Sequence, residues 1–146
     1  MSLTGDARPA ELWAMIDRMQ ETINQHGELL DRMAEFLVEN RPTLAEIMTE
    51  VSNFYIVPHD DLCGPSQSHR YAQPRKIVYY LARKLTRLSL HNIAQRIGER
   101  DHSTIYQGFQ SVTQKLRHDE ILRDDLDVLR SRIAERVLAR TAGRAS

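Results

Sequence analysis

Four consecutive polar residues, Asp101, His102, Ser103 and Thr104, stand where a helical pattern begins, and together they offer a carboxylate, an imidazole and two hydroxyls. Asp-His-Ser contains the letters of a hydrolase triad, yet neighbours on one helical turn cannot adopt the mutual geometry of nucleophile, base and orienting acid. The chemistry such a set suits is recognition. Backbone N–H groups and the dipole at a helix N-terminus attract phosphate, and side chains of these types pair with base edges in the major groove. A second group, His59, Asp60, Asp61 and Cys63, holds metal-binding residue types without paired ligand spacing, beside Pro58 and Gly64. It reads as a solvated turn. The expectation is therefore a non-enzyme with no metal, no nucleotide and no other cofactor.

The elements that must position these groups are two short helices and a tight turn. Ser89 is placed to cap a helix whose apolar face is Leu90, Ile93, Ala94 and Ile97, and Gly98 stops it. A second helix starts near Asp101 and repeats apolar residues at Ile105, Phe109, Val112 and Leu116, a 4-3-4 spacing that puts them on one stripe. This is the pattern of a helix-turn-helix, whose second helix reads the major groove with its N-terminal residues.

Charge supports that reading. The chain is neutral overall, but residues 1–65 carry 4 basic and 12 acidic side chains, whereas residues 66–118 carry 10 basic against Glu99 and Asp101 alone. The basic block, which includes Arg70, Arg75, Lys76, Arg83, Lys84 and Arg100, coincides with the helical pair. Such a surface neutralises phosphates and releases their counterions.

The same segment resembles the C-terminal DNA-binding domain of the bacterial replication initiator DnaA, a helix-turn-helix of Trp-repressor-like type (domain IV). The residues that carry the resemblance are Pro74-Arg75, Tyr80-Leu81-Ala82-Arg83-Lys84-Leu85-Thr86, Ser89-Leu90, Ile93, Gly98 and, above all, Arg100-Asp101-His102-Ser103-Thr104-Ile105. Thr43-Leu44, Ile47, Val51, Phe54-Tyr55, Val57 and Asp61-Leu62 are similar to that domain's opening helix and loop. The resemblance implies that Asp101, His102 and Ser103 read bases of a DnaA box, that Leu90 touches a thymine methyl with His91 beside it, and that Arg75, Arg83 and Thr104 hold the phosphate backbone. Ser89, Lys76 and Arg100 adjoin those backbone contacts. Contacts of the second kind set register rather than sequence.

The departures concern site preference. Gln67 stands where the family places a minor-groove Arg, and Arg70 is the nearest substitute. Glu99 replaces a glycine of the turn, His91 a proline, and Gly108 falls within the recognition helix, where it costs about 1 kcal/mol relative to Ala. The chain also has no G-x-x-x-x-G-K-[ST] phosphate loop, so the resemblance is to a stand-alone DnaA-related protein without the ATPase domain.

Three regions follow. Residues 1–42 form an amphipathic helical arm: Leu12, Met19 and Met33 recur in heptad register with Met15, Leu29 and Phe36 at the complementary position. Three forms stay open: a coiled-coil homodimer through residues 9–40, two shorter helices bent at Gln25-His26-Gly27 and folded onto the domain, or an arm for an unknown partner. Residues 43–130 are the helix-turn-helix domain. A last amphipathic helix covers 119–140, under the recognition helix or extending from it, and residues 131–146 hold its end and a disordered tail, frayed from Thr141. The fold class is all-α. No apolar run approaches the roughly 18 residues that span a bilayer, and Cys63 is the only cysteine, which fits a cytoplasmic, nucleoid-associated protein with no membrane partner. The function expected is sequence-specific binding of double-stranded DNA at DnaA-box-like sites, regulating replication initiation or transcription. The alternative is a protein–protein interaction module that keeps the fold and acts through its acidic arm.

Overall fold

A computed structural model of the chain describes residues 9–63, 69–98 and 101–145. Among these residues all regular structure is helical: α1 (Pro9–Glu39), α2 (Leu44–Tyr55), α3 (His59–Cys63), α4 (His69–Leu85), α5 (Leu90–Ile97), α6 (His102–Lys115) and α7 (Glu120–Ala145).

Local chemistry sets most of the boundaries. Pro9 opens α1, where its missing N–H costs nothing. Thr43 and Glu46 form a capping box at α2: the Thr43 hydroxyl accepts from the Glu46 N–H at 3.1 Å, and the Glu46 carboxylate accepts from the Thr43 N–H at 2.8 Å. Ser89 caps α5 by accepting from the Asn92 N–H at 3.1 Å. Gly98 ends that helix at φ 86°, a left-handed conformation that a side chain resists. A Cβ there would also meet the Cys63 carbonyl oxygen at 2.9 Å. Asp119 begins α7 by accepting from the Leu122 N–H at 2.9 Å.

The long α4 is the centre of the domain. One side packs on α6 and the other on α2, with α5 against α6 and α7 against α2. Ile47, Val51, Leu62, Ile77, Leu81, Ile93, Ile97, Ile105, Val112, Leu129 and Ile133 are fully buried between them. Tyr80 of α4 stacks on Phe109 of α6, with centroids 5.4 Å apart and planes at 18°. Lys84 lies over both rings, at 5.9 and 5.8 Å.

Several expectations are corrected. The arm is one helix, continuous through Gly27, so the bend at residues 25–27 does not occur; at Gly27 nothing lies within 4 Å of a Cβ position and no packing forces a break. The last helix lies on α2 and α1 rather than under the recognition helix. It also runs to Ala145: Thr141 continues it, donating to the Leu138 carbonyl, so the frayed tail from 141 is overturned over 141–145, while Ser146 lies outside the described residues. A domain limit at 130 is too early, because Ile133, Ala134 and Val137 are buried in the same core. On the same stretch Arg136 pairs with Glu50 at 2.7 Å and Arg140 forks onto both Glu46 oxygens at 3.1 Å.

Candidate nucleic-acid interface

Asp101 builds the turn that presents the polar residues. Its backbone is extended and its carboxylate accepts from the Ser103 N–H at 2.9 Å, satisfying one of the orphan donors of α6. The Thr104 N–H donates to the Asp101 carbonyl at 3.2 Å. The backbone and hydroxyl of Ser103 hold the Asp101 carboxyl below its ordinary pKa. The folded pKa is depressed, so this cap is intact above the unfolded value and is lost as pH falls through the folded one. Asp101, His102, Ser103 and Thr104 are all exposed, while Ile105 directly after them is fully buried. The turn is thus anchored from below and open above.

Three of the expected phosphate-binding residues come together beside this turn. Arg75, Lys76 and Thr104 line one concavity of about 300 Å³ between α4 and α6, with Ala72, Tyr79, Gln107 and Gly108. Its depth depends on Gly108, which is buried: an added Cβ would stand 2.6 Å from Cδ2 of Tyr79 and 3.4 Å from Cγ of Lys76. The glycine that weakens the recognition helix in isolation is what lets α4 approach it.

The other residues stand apart. Arg83 is exposed near the end of α4, and Ser89 and His91 are exposed at the start of α5, with Leu90 half-buried between them. Arg75 has a second task, since its Nε and one terminal nitrogen donate to the Asp61 carbonyl at 3.0 and 2.6 Å, fastening α4 to α3. Arg100, Gln67 and Glu99, and the side chain of Arg70, lie outside the described residues. Lys115 reaches from the end of α6 to the Gln73 amide oxygen at 3.2 Å.

Two residues at this surface escape the sequence reading. Gln107 lines the concavity one helical turn after Thr104, and Tyr106 is exposed one turn after His102 and Ser103, its hydroxyl accepting from the Gln110 amide at 2.5 Å. The signal for both is the i, i+3/i+4 spacing from the polar turn. His59, Asp60, Asp61 and Cys63 form the short α3 rather than an irregular turn, and among the described residues no cluster with metal-ligand geometry occurs. Burial first, and then Asp60, push the Cys63 thiol up, which keeps it protonated.

Residues 44–112 match the family described as bacterial dnaA protein helix-turn-helix. Proteins named chromosomal replication initiator protein DnaA are similar to parts of this chain. The protein of Roseobacter denitrificans is 35% identical over 97 residues, 66% of this chain and 21% of its own length. That of Cereibacter sphaeroides is 37% identical over 92 residues, 63% of this chain and 20% of its own length. That of Herpetosiphon aurantiacus is 31% identical over 121 residues, 83% of this chain and 26% of its own length. The chain therefore spans about a fifth to a quarter of the curated relatives it matches.

Proposed function

We propose that the chain, whose residues 44–112 match the bacterial dnaA protein helix-turn-helix family, is a sequence-specific binder of double-stranded DNA. It acts at DnaA-box-like sites, on the nucleoid in the cytoplasm, and regulates replication initiation or transcription there without itself catalysing a reaction. The observation that carries this reading is the turn at the start of α6. Asp101, His102 and Ser103 are exposed, and Thr104 stands beside Arg75 and Lys76 at the adjoining concavity.

In the mechanism, the N-terminus of α6 enters the major groove, where Asp101 accepts from a cytosine amino group and His102 and Ser103 address neighbouring base edges. Leu90 and His91 flank this contact from α5. Lys76, Arg83, Ser89, Thr104 and Arg75 fix the duplex through its phosphates. Ser89 suits this role because its oxygen is used as the cap acceptor, which leaves its O–H to donate to a phosphate.

Fluorescence anisotropy with a DnaA-box duplex and a scrambled one tests the reading. Asp101→Asn keeps an N-cap acceptor, and His102→Ala removes one reading group. Each reduces discrimination between the two duplexes by about 1–3 kcal/mol, the value of one good base contact. Equal weakening on both duplexes would remove these residues from base reading.

The exposed apolar face of α1 favours one addition, self-association through residues 9–40. Trp13, Met19 and Ile23 are each more than 60% exposed, a poor arrangement for a helix alone in water.

A further inference from the structure

The two halves of α1 have opposite surroundings. Its C-terminal half sits on the domain, with Leu37 only 2% exposed. Beside that half, α1, α7 and the end of α4 enclose a groove of about 230 Å³, lined by Met33, Leu37, Arg41, Lys84, Asp127 and Arg130 among others. Arg41, Lys84 and Arg130 line it with one acid, Asp127, the Lys84 ammonium lying over the Tyr80 and Phe109 rings. The Nε atoms of Arg41 and Arg130 are both buried and have no hydrogen-bond partner among the described residues, a costly state. The N-terminal half of α1 has the complementary character: Leu12, Trp13, Ile16, Met19 and Ile23 are exposed along it, and Glu11, Asp17 and Glu21 accompany a single cation, Arg18.

This half cannot reach the groove of its own chain, because α1 is unbroken from Pro9 to Glu39 and a straight helix cannot fold back on itself. The same half of a second copy can. The 4-3 series Leu12, Ile16, Met19 and Ile23 gives the exposed half an apolar stripe, and Leu30, Met33 and Leu37 continue it into the wall of the groove. Parallel pairing would set Glu11, Asp17 and Glu21 beside their own duplicates. Antiparallel pairing sets each acidic half against the other copy's basic groove.

We infer that two copies of this chain exchange arms, α1 lying antiparallel on α1 of the second copy so that the apolar, acidic half of each fills the Arg41–Lys84–Arg130 groove of the other. The inference rests on the self-association reading above and adds its direction and its receptor.

The experiment uses the full chain with Cys63→Ser. Sedimentation velocity at tens of micromolar gives twice the 16.9 kDa chain mass, and Ile16→Asp, on the exposed arm, returns the monomer with its helix content intact. Oxidation of a mixture of Ile16→Cys and Met33→Cys proteins gives a mixed disulfide dimer, whereas Ile16→Cys alone gives none. Arg130→Glu weakens the dimer at least tenfold, and Glu11→Arg on that background restores it. A parent chain that sediments as a monomer overturns self-association itself. A dimer in which Ile16→Cys cross-links to itself overturns only the antiparallel exchange. Loss without rescue by Glu11→Arg removes the groove as receptor. Binding of a single DnaA box by the monomeric Ile16→Asp protein reports on the DNA reading separately.

Discussion

At the scale of single residues, the surface proposed to read DNA is made of groups that also hold the fold. Asp101 caps α6 and Arg75 binds the Asp61 carbonyl, so alanine at either position removes two functions at once. Gly108 is the sharpest case. Helix propensity favours Gly108→Ala by about 1 kcal/mol, whereas forcing a methyl group to 2.6 Å from a buried tyrosine ring is overpacking, which costs about 1–3 kcal/mol. Tyr79 is only 4% exposed and cannot swing away, so the clash wins. Urea denaturation of Gly108→Ala will show a net loss of about 1 kcal/mol; a gain would mean that α4 and α6 separate freely. The caps at Ser89 and Asp101 and the stop at Gly98 are legible in the sequence because each is a local rule about orphan backbone groups. The role of Gly108 is not, because it depends on a ring 29 positions earlier in the chain.

At the scale of elements, α7 illustrates the other limit of legibility. Its apolar repeat announces a helix, but its partner is a matter of packing among distant segments, and it lies on α2 and α1. The contact is secured by Glu46, whose carboxylate accepts from Thr43 in the capping box and from Arg140. Burial raises the pKa of Glu46, but the hydrogen bonds from Arg140 and Thr43 and the charge of Arg140 outweigh it, and the net shift is downward from 4.5. A depressed folded pKa means that the contribution is present above the unfolded value and fades as pH falls through the folded one. Arg140→Ala therefore lowers stability by about 1 kcal/mol at pH 7, given a partly exposed pair. The difference between variant and parent narrows toward pH 3, as thermal melts at both values will show. A difference that persists at pH 3 would assign the effect to lost packing of the Arg140 stem. Tyr55 adds a further tie between the same helices, its hydroxyl donating to Asp125 at 3.3 Å; burial, then the Asp125 charge, raise its pKa and keep it protonated.

At the scale of the whole molecule, neutrality conceals a division of labour. The acidic first 65 residues supply the arm and the α2–α3 part of the domain, and the basic stretch from 66 to 118 supplies the proposed DNA face, so salt acts on DNA binding as it would on a strongly basic protein. Arg83→Ala weakens binding to any duplex and makes the slope of log K against log salt shallower by about one unit; an unchanged slope would place Arg83 off the phosphates. The joint between these parts is stiff. Arg140 donates to the Arg41 carbonyl at 3.3 Å and Arg41 to the Leu85 carbonyl at 3.4 Å, so the exit of α1, the end of α4 and the far part of α7 are tied together at residues 40–43. An arm held in this way is a ruler rather than a tether. If two copies share it, the separation and rotational phase of their reading turns are set in advance. Duplexes carrying two boxes will then be bound with an affinity that rises and falls with a period of about 10–10.5 base pairs as the spacer is lengthened. A flexible linkage would give only a smooth decline, and a spacer series in a mobility-shift assay distinguishes the two.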